Sequence, residues 1–317
     1  DHREHGHASA EAKQAALSFS TRNGLPTAMR RQPVSIQATL DKSLSSLLAD
    51  DLKFTLAGKG SYSADSRTVS LSDATLRHQD FTLAGSLSAS DVPSRLSLSG
   101  KLALSTSSLR RCAALFGVSL PSPAGKSVFR KAEAEASVTV SSQMLSLDKL
   151  HGSIDGTSFS GSLHQSLSGR PTLTGALNFP VLNIDDYRSM ESRASSSSTP
   201  LPLSFLKNTD LSLSLSADRL RAFSTTLADV SLPVSQKNGT LSAPLKAVFP
   251  GGGQAEAHFQ AALAADQSAA DLSLVTRCRN MNMMSFSRDR GQKTLIGGTG
   301  TFDASLRSRQ KHWEDWK

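Results

Sequence analysis

Aromatic residues are scarce in this chain. Phe, Trp and Tyr make up 5% of its 317 residues, and all apolar types together only 38%. That supply is low for a large compact core, so a fold has to place it regularly. Cysteine is confined to Cys112 and Cys278, far apart in sequence, and nothing along the chain brings them together as a disulfide. No apolar run approaches the roughly 20 residues that a membrane-spanning helix needs. Charged residues are 20%, which sets the chain apart from highly charged disordered sequences.

Catalytic signatures are missing too. Neither His-Glu-x-x-His nor Gly-x-Ser-x-Gly occurs. Ala124-Gly125-Lys126-Ser127 matches the end of a phosphate loop, but Leu120 stands where that motif needs its first glycine. His2, His5 and His7 crowd the start of the chain, a placement typical of adventitious metal binding, so no metal site is expected. His78, His151, His164 and His258 lie in or beside alternating segments and are expected at the surface. Asp185-Asp186 opens a short helical stretch, where the macrodipole favours acidic side chains; capping explains the pair better than acid–base chemistry. No cofactor is implied, and the chain reads as a non-enzyme.

Two features are present in excess. The formal net charge is +8 with a pI of about 9.7, which favours anionic partners. The basic residues are dispersed, as in Arg30-Arg31, Arg110-Arg111, Arg277 with Arg279 and Arg288 with Arg290. Without a dense run or interleaved aromatics they do not make a nucleic-acid surface. The second excess is serine, roughly one residue in six.

Serine sits in period two with leucine. VSIQATL (34–40), KFTLAG (53–58), TVSLSD (68–73), FTLAGSLS (81–88) and RLSLSGKLALS (95–105) alternate apolar with small polar residues. ASVTVS (136–141), MLSLDKL (144–150), TLTGALNF (172–179), LSLSLS (211–216) and ADLSLV (270–275) do the same. This spacing predicts strands with one apolar and one hydroxyl-bearing face. Turn residues separate the runs, Asn238-Gly239 most plainly: it matches a glycosylation acceptor with Thr240, but a hairpin is the more economical reading. Gly251, Gly252 and Gly253 predict a bend or a close strand approach. Short helical stretches are predicted over 43–50, 107–117, 181–190 and 280–286.

Residues 80–117, 157–190 and 253–286 share one order: a strand, a polar turn, another strand, then a helical turn. Repeated β units of this kind stack on their neighbours as a quasi-one-dimensional structure. The expected organisation is a lead-in segment, mobile or helical at its start (1–33), a repeated β region (34–190), a Ser/Pro-rich linker or loop (191–205) and a second β region (206–317).

At this point the order of elements resembles the AsmA family. The match is densest in 210–263, then 270–286 and LIGGTGTFDASL (295–306), with its Leu211–Leu215 strand, Phe249-Pro250-Gly251-Gly252-Gly253 and Gly297-Gly298-Thr299-Gly300. Residues 150–187 are similar to the family's central region. The family's N-terminal membrane helix is not among these residues, and RQKHWEDWK (309–317) stands where members continue with strands. The chain is therefore read as a fragment whose anchor lies outside it.

The resemblance implies an elongated, curled antiparallel β-sheet of repeated strand units with short interspersed helices and a hydrophobic groove. It also implies a periplasmic, inner-membrane-anchored protein of outer-membrane biogenesis that binds or conducts phospholipid or another envelope lipid. By strand phase the apolar face is assigned to Leu96, Leu98, Leu102, Leu104, Leu173, Leu177, Phe179, Leu211, Leu213, Leu215, Leu272 and Leu274. The competing reading is a secreted or surface β-solenoid scaffold or adhesion protein, its apolar face sealed in a closed core.

Overall fold

The computed structural model describes residues 8–12, 15–20, 34–40, 54–63, 68–90, 97–115, 120, 128–187, 210–264, 269–291 and 297–310. The chain divides into two compact units, Asp1–Pro121 with Phe129–Gly156, and Ser122–Val128 with Thr157–Lys317. The first holds β1 (Ala8–Ala12), β2 (Ala15–Ser20), β3 (Val34–Leu40), β4 (Phe54–Ser63), β5 (Thr68–Arg77), β6 (Phe81–Ser90), β7 (Ser97–Thr106), α1 (Leu109–Leu115), β8 (Ala132–Val140) and β9 (Met144–Ile154). Each strand pairs antiparallel with the next. β1 and β2 fall in the segment expected as a mobile or helical lead-in.

The second unit holds β10 (Thr157–Ser166), β11 (Thr172–Asn183), a 3-10 turn (Ile184–Asp186), β12 (Asp210–Ala222), β13 (Thr225–Lys237), β14 (Thr240–Val248), β15 (Gln254–Leu263), β16 (Ala270–Asn282), α2 (Met283–Asp289) and β17 (Thr299–Gln310). Pairing again follows chain order. All of it is antiparallel except β11 with β12, which run parallel from Thr172↔Asp210 to Asn183↔Arg221. The expected linker 191–205, the predicted helix 43–50 and Leu96 lie outside the described residues. The fold class is that expected: mostly β, antiparallel but for one junction, with only short helices.

The three repeats appear as β6–β7–α1, β10–β11–3-10 turn and β15–β16–α2. The first two share a further device. Gly85 and Gly100 of one hairpin, Gly161 and Gly175 of the other, lie opposite Leu102, Leu87, Leu177 and Leu163. A Cβ at any of the four would meet a carbonyl oxygen of the neighbouring strand at 1.9–2.2 Å, so only glycine permits this closeness.

Among the described strands four bulges carry a non-glycine residue at positive φ: Asp73, Lys149, Asp229 and Asn280. A bulge adds one residue to one strand and restores the face beyond it. Leu71 and Ala74, Leu147 and Leu150, Leu227 and Val230, and Cys278 and Met281 thereby share the apolar face although they are three apart. Ala74, Leu150 and Val230 are among the few buried residues.

Pro233 and Pro244 face one another between β13 and β14. The ladder is interrupted there, from Ser231↔Lys246 to Ser235↔Ser242. Two missing N–H donors at one hydrogen-bonded pair remove that pair and both its neighbours from the ladder.

Candidate functional site

Apolar residues form rows across the strands. In the first unit one row runs Gly60, Leu71, Leu87, Gly100, Val138, Leu147, and a second Leu56, Leu76, Leu83, Leu104, Ala134, Gly152. The opposite face carries the hydroxyl row Ser61, Ser70, Ser88, Ser99, Thr139, Ser146, with Ser70 Oγ and Ser88 Oγ 3.4 Å apart. From β4 to β9 the apolar face is about 24 Å across. In the second unit Leu173 lies beside Leu211, Leu177 beside Leu215 and Phe179 beside Ala217; Leu213 sits between Gly175 and Val234. Phe259, Leu274 and Leu306 form a further row over β15–β17.

Most of the residues assigned from strand phase occupy these rows half-buried: Leu98, Leu102, Leu104, Leu173, Leu177, Leu211, Leu213, Leu215 and Leu274. Leu272 differs. It is 3% exposed and packs with Ala261, Ala270, Leu241 and Phe259, so it is core and not ligand surface. Leu83, Leu87 and Val138 lie on the same faces by the alternation of 81–88 and 136–141 yet were not among the assigned residues, and neither were Leu163 and Val234.

At one end of each unit short helices and turns are fixed to the strands. In the second unit Ala217, Leu220, Ala222, Val230, Ala247, Phe249 and Ala255 cluster with Phe179, Ile184 of the 3-10 turn and Phe286 of α2. Phe286 meets Phe249 edge-on at 6.1 Å between centroids. Asn282 caps α2 by accepting from Ser285 N–H at 2.9 Å. In the first unit α1 is tied down by Leu109 N–H to the Arg130 carbonyl at 2.7 Å and by Arg111 Nε on Asp80 Oδ1 at 2.8 Å. Its Cys112 is buried, and burial foremost, then the Asp80 charge, pushes the thiol pKa up.

Aspartates fasten the turns at these ends. Asp155 accepts backbone N–H groups from Phe129, Arg130 and Lys131 at 2.5, 2.9 and 3.1 Å. Asp185 accepts from Phe223 and Ser224, the two positive-φ residues of the β12–β13 turn, at 2.7 and 2.8 Å. Asp289 accepts from Thr226 N–H at 2.5 Å. Both carboxylates of the Asp185-Asp186 pair have hydrogen-bond partners within the fold. The cap itself is Asn183, Asp186 accepts from its side chain at 2.7 Å, and Asp185 pins a distant turn.

A cleft of about 660 Å³ opens in the first unit between His78, Asp80, Thr82, Ser105, Arg130, Lys131 and Glu133. His78 was expected at the surface, but its side chain is only 4% exposed, packed on Phe81 and accepting Asp80 N–H at Nδ1 over 3.2 Å. Thr106 Oγ1 donates to the Asp80 carbonyl at 2.5 Å. Lys131 is paired with Glu133 at 2.8 Å, and Arg111 with Asp80, so the cleft's charges are largely spent on one another. His151 is exposed, and His258 shares a 2.8 Å hydrogen bond with Ser242.

Asn238-Gly239 forms the expected hairpin turn, with φ of 52° and 81°. At Gly253 a Cβ would meet the Asn280 carbonyl oxygen at 2.5 Å, the close approach expected there. His2, His5, His7 and the 124–127 run lie outside the described residues, and no His, Cys, Asp or Glu group among those described could hold a metal. Among the described residues no helix is long and apolar enough to cross a membrane.

No family model, curated protein or solved structure matches this chain.

Proposed function

We propose that the chain is the periplasmic part of an AsmA-like, inner-membrane-anchored protein, holding phospholipid acyl chains along its apolar strand faces in outer-membrane biogenesis. The observation that carries this reading is the set of in-register leucine rows that stay half-buried among the described residues, with a protein cluster over one end of the second unit's face. A face built as protein core would cover Leu213 as fully as it covers Leu272.

Magnitudes favour a two-chain lipid. A methylene fully removed from water gains about 0.8 kcal/mol, so one lying against an open face gains roughly half of that. About twenty such methylenes contribute on the order of 8 kcal/mol, enough to offset the lower estimates of the association cost. A single chain gives half as much and holds poorly. Specific polar contacts are not needed, which fits the lack of catalytic spacings.

The test is native mass spectrometry of the purified protein with organic extraction of what copurifies. Bound phospholipid that is lost in Leu213→Asp, with the far-ultraviolet circular dichroism of the wild type retained, supports the groove. A folded, lipid-free wild type that also refuses added phospholipid overturns it in favour of a closed scaffold.

A further inference from the structure

We propose that β17 is a docking edge for a second copy of this chain, paired antiparallel about a two-fold axis through Ser305. β17 runs 12 residues and pairs with β16 alone among the described strands. Edges of this length are normally shortened, bulged or interrupted by proline. Thr299–Gln310 contains no proline, and the one irregularity of the β16–β17 ladder falls on β16. Its two large apolar side chains, Phe302 and Leu306, are each 54% exposed, although they continue the rows of Cys278 and Leu274. Among the described residues the apolar face therefore runs out to β17 with two large side chains still exposed.

The sequence of this edge complements itself. Across β16, Asp303 faces Arg277 with 3.7 Å between Oδ1 and Nε, and Arg309 grips Asp271 at 2.8 and 3.2 Å. Arg307 faces Ser273 and has no carboxylate opposite it there. An antiparallel two-fold at Ser305 sets Arg307 opposite the partner's Asp303 and Asp303 opposite the partner's Arg307. Ala304 then meets the partner's Leu306, and both apolar faces lie on the same side of the joined sheet. Other registers that keep the faces together do worse. Centring on Asp303 or Arg307 sets like charges opposite, and centring on Ala304 gives Arg307 only a hydroxyl; centring on Leu306 does so too, and the Arg309 it sets opposite Asp303 is already held by Asp271. Strand addition supplies the main-chain hydrogen bonds and the two ion pairs fix the register.

Sedimentation velocity from low to high micromolar concentration reads the association. The wild type is expected to dimerise reversibly. Arg307→Asp, which converts both cross-strand ion pairs to repulsions, should weaken the dimer about tenfold or more, and adding Asp303→Arg should restore it. In a Cys112→Ala/Cys278→Ala background, Ser305→Cys should form a disulfide-linked dimer under mild oxidation, since residues opposite on the axis have Cα atoms about 4.5–5.5 Å apart. Thr301→Cys should not, being about 27 Å from its own copy in this register. A wild type monomeric at every concentration, or equal crosslinking at 301 and 305, overturns the proposal.

Discussion

Alanine at Gly100 sets two expectations of opposite sign against each other. Strand propensity favours the change, because a strand-interior glycine costs roughly 0.5–1 kcal/mol relative to alanine. The sheet opposes it. A Cβ at Gly100 would stand 2.0 Å from the Ser86 carbonyl oxygen and 2.9 Å from Leu87 Cα. Both are backbone atoms of β6, so no side chain can turn aside. Relief to even 3.0 Å requires the strands to part by 3.0 − 2.0 = 1.0 Å. That movement forfeits the two flanking ladder bonds, about 1 kcal/mol each, and some of the packing of Leu87 on the apolar face. The expected net loss is about 2–3 kcal/mol.

Gly100 is not at positive φ, so the result is free of backbone strain. Gly297 is the control: it too lacks positive φ, and the nearest atom to a Cβ there is Met284 Cε at 3.9 Å. Gly297→Ala should stay within about 0.5 kcal/mol of the wild type. Urea denaturation followed by circular dichroism gives the stabilities, and hydrogen exchange over 81–106 locates the loosening. A Gly100→Ala protein as stable as the wild type, or more so, would refute the close-approach argument for all four hairpin glycines.

Three further outcomes are expected. Asp155→Ala, which removes an acceptor shared by three backbone N–H groups, should cost about 3 kcal/mol, and Asp155→Asn about half as much because one carbonyl oxygen remains; hydrogen exchange at 129–131 should rise in the same order. Pro233→Val with Pro244→Val should gain about 1–2 kcal/mol by returning two ladder bonds, measured by urea midpoint; either change alone should give no more than half. Burial first, and then the Asp303 charge, raises the Cys278 thiol pKa. Its protonated form is favoured in the folded chain, so this contribution to stability is complete below the unfolded thiol's pKa and is lost as pH rises through the folded one. Alkylation of native Cys278 at pH 8.5 should therefore lag the urea-unfolded chain, and Asp303→Asn should narrow the gap without closing it.

What was legible in the sequence, and what was not, divides along one physical line. Period-two leucine reports which face a residue takes, and that information is local. It sets Leu98, Leu102 and Leu104 on one face of their strand, and Leu211, Leu213 and Leu215 on one face of theirs, because side-chain direction alternates within one strand whatever lies beside it. The order strand, turn, strand, helical turn was legible for the same reason. Properties that need a partner were not. The Asp155 and Asp185 carboxylates act on backbone groups 24–26 and 38–39 residues away. The parallel β11–β12 pairing and the coverage of Leu272 likewise depend on which strand comes to lie next door.

The bulges fall between these cases. At L71-S-D-A74, L147-D-K-L150, L227-A-D-V230 and C278-R-N-M281 the apolar spacing lengthens from two to three residues. The residue just before the pattern resumes is Asp, Lys, Asp or Asn, and the structure holds each of them at positive φ. Asp and Asn are the non-glycine types that tolerate that conformation best. A spacing of three with such a residue in its second gap is therefore a local signal for a non-local feature; it marks three of the four bulges, and at the fourth, with Lys149 in that gap, the spacing alone is the signal. Read without it, MLSLDKL is one uninterrupted strand that would point Leu150 away from Leu145 and Leu147. Read with it, Leu150 returns to the apolar face, where the structure buries it.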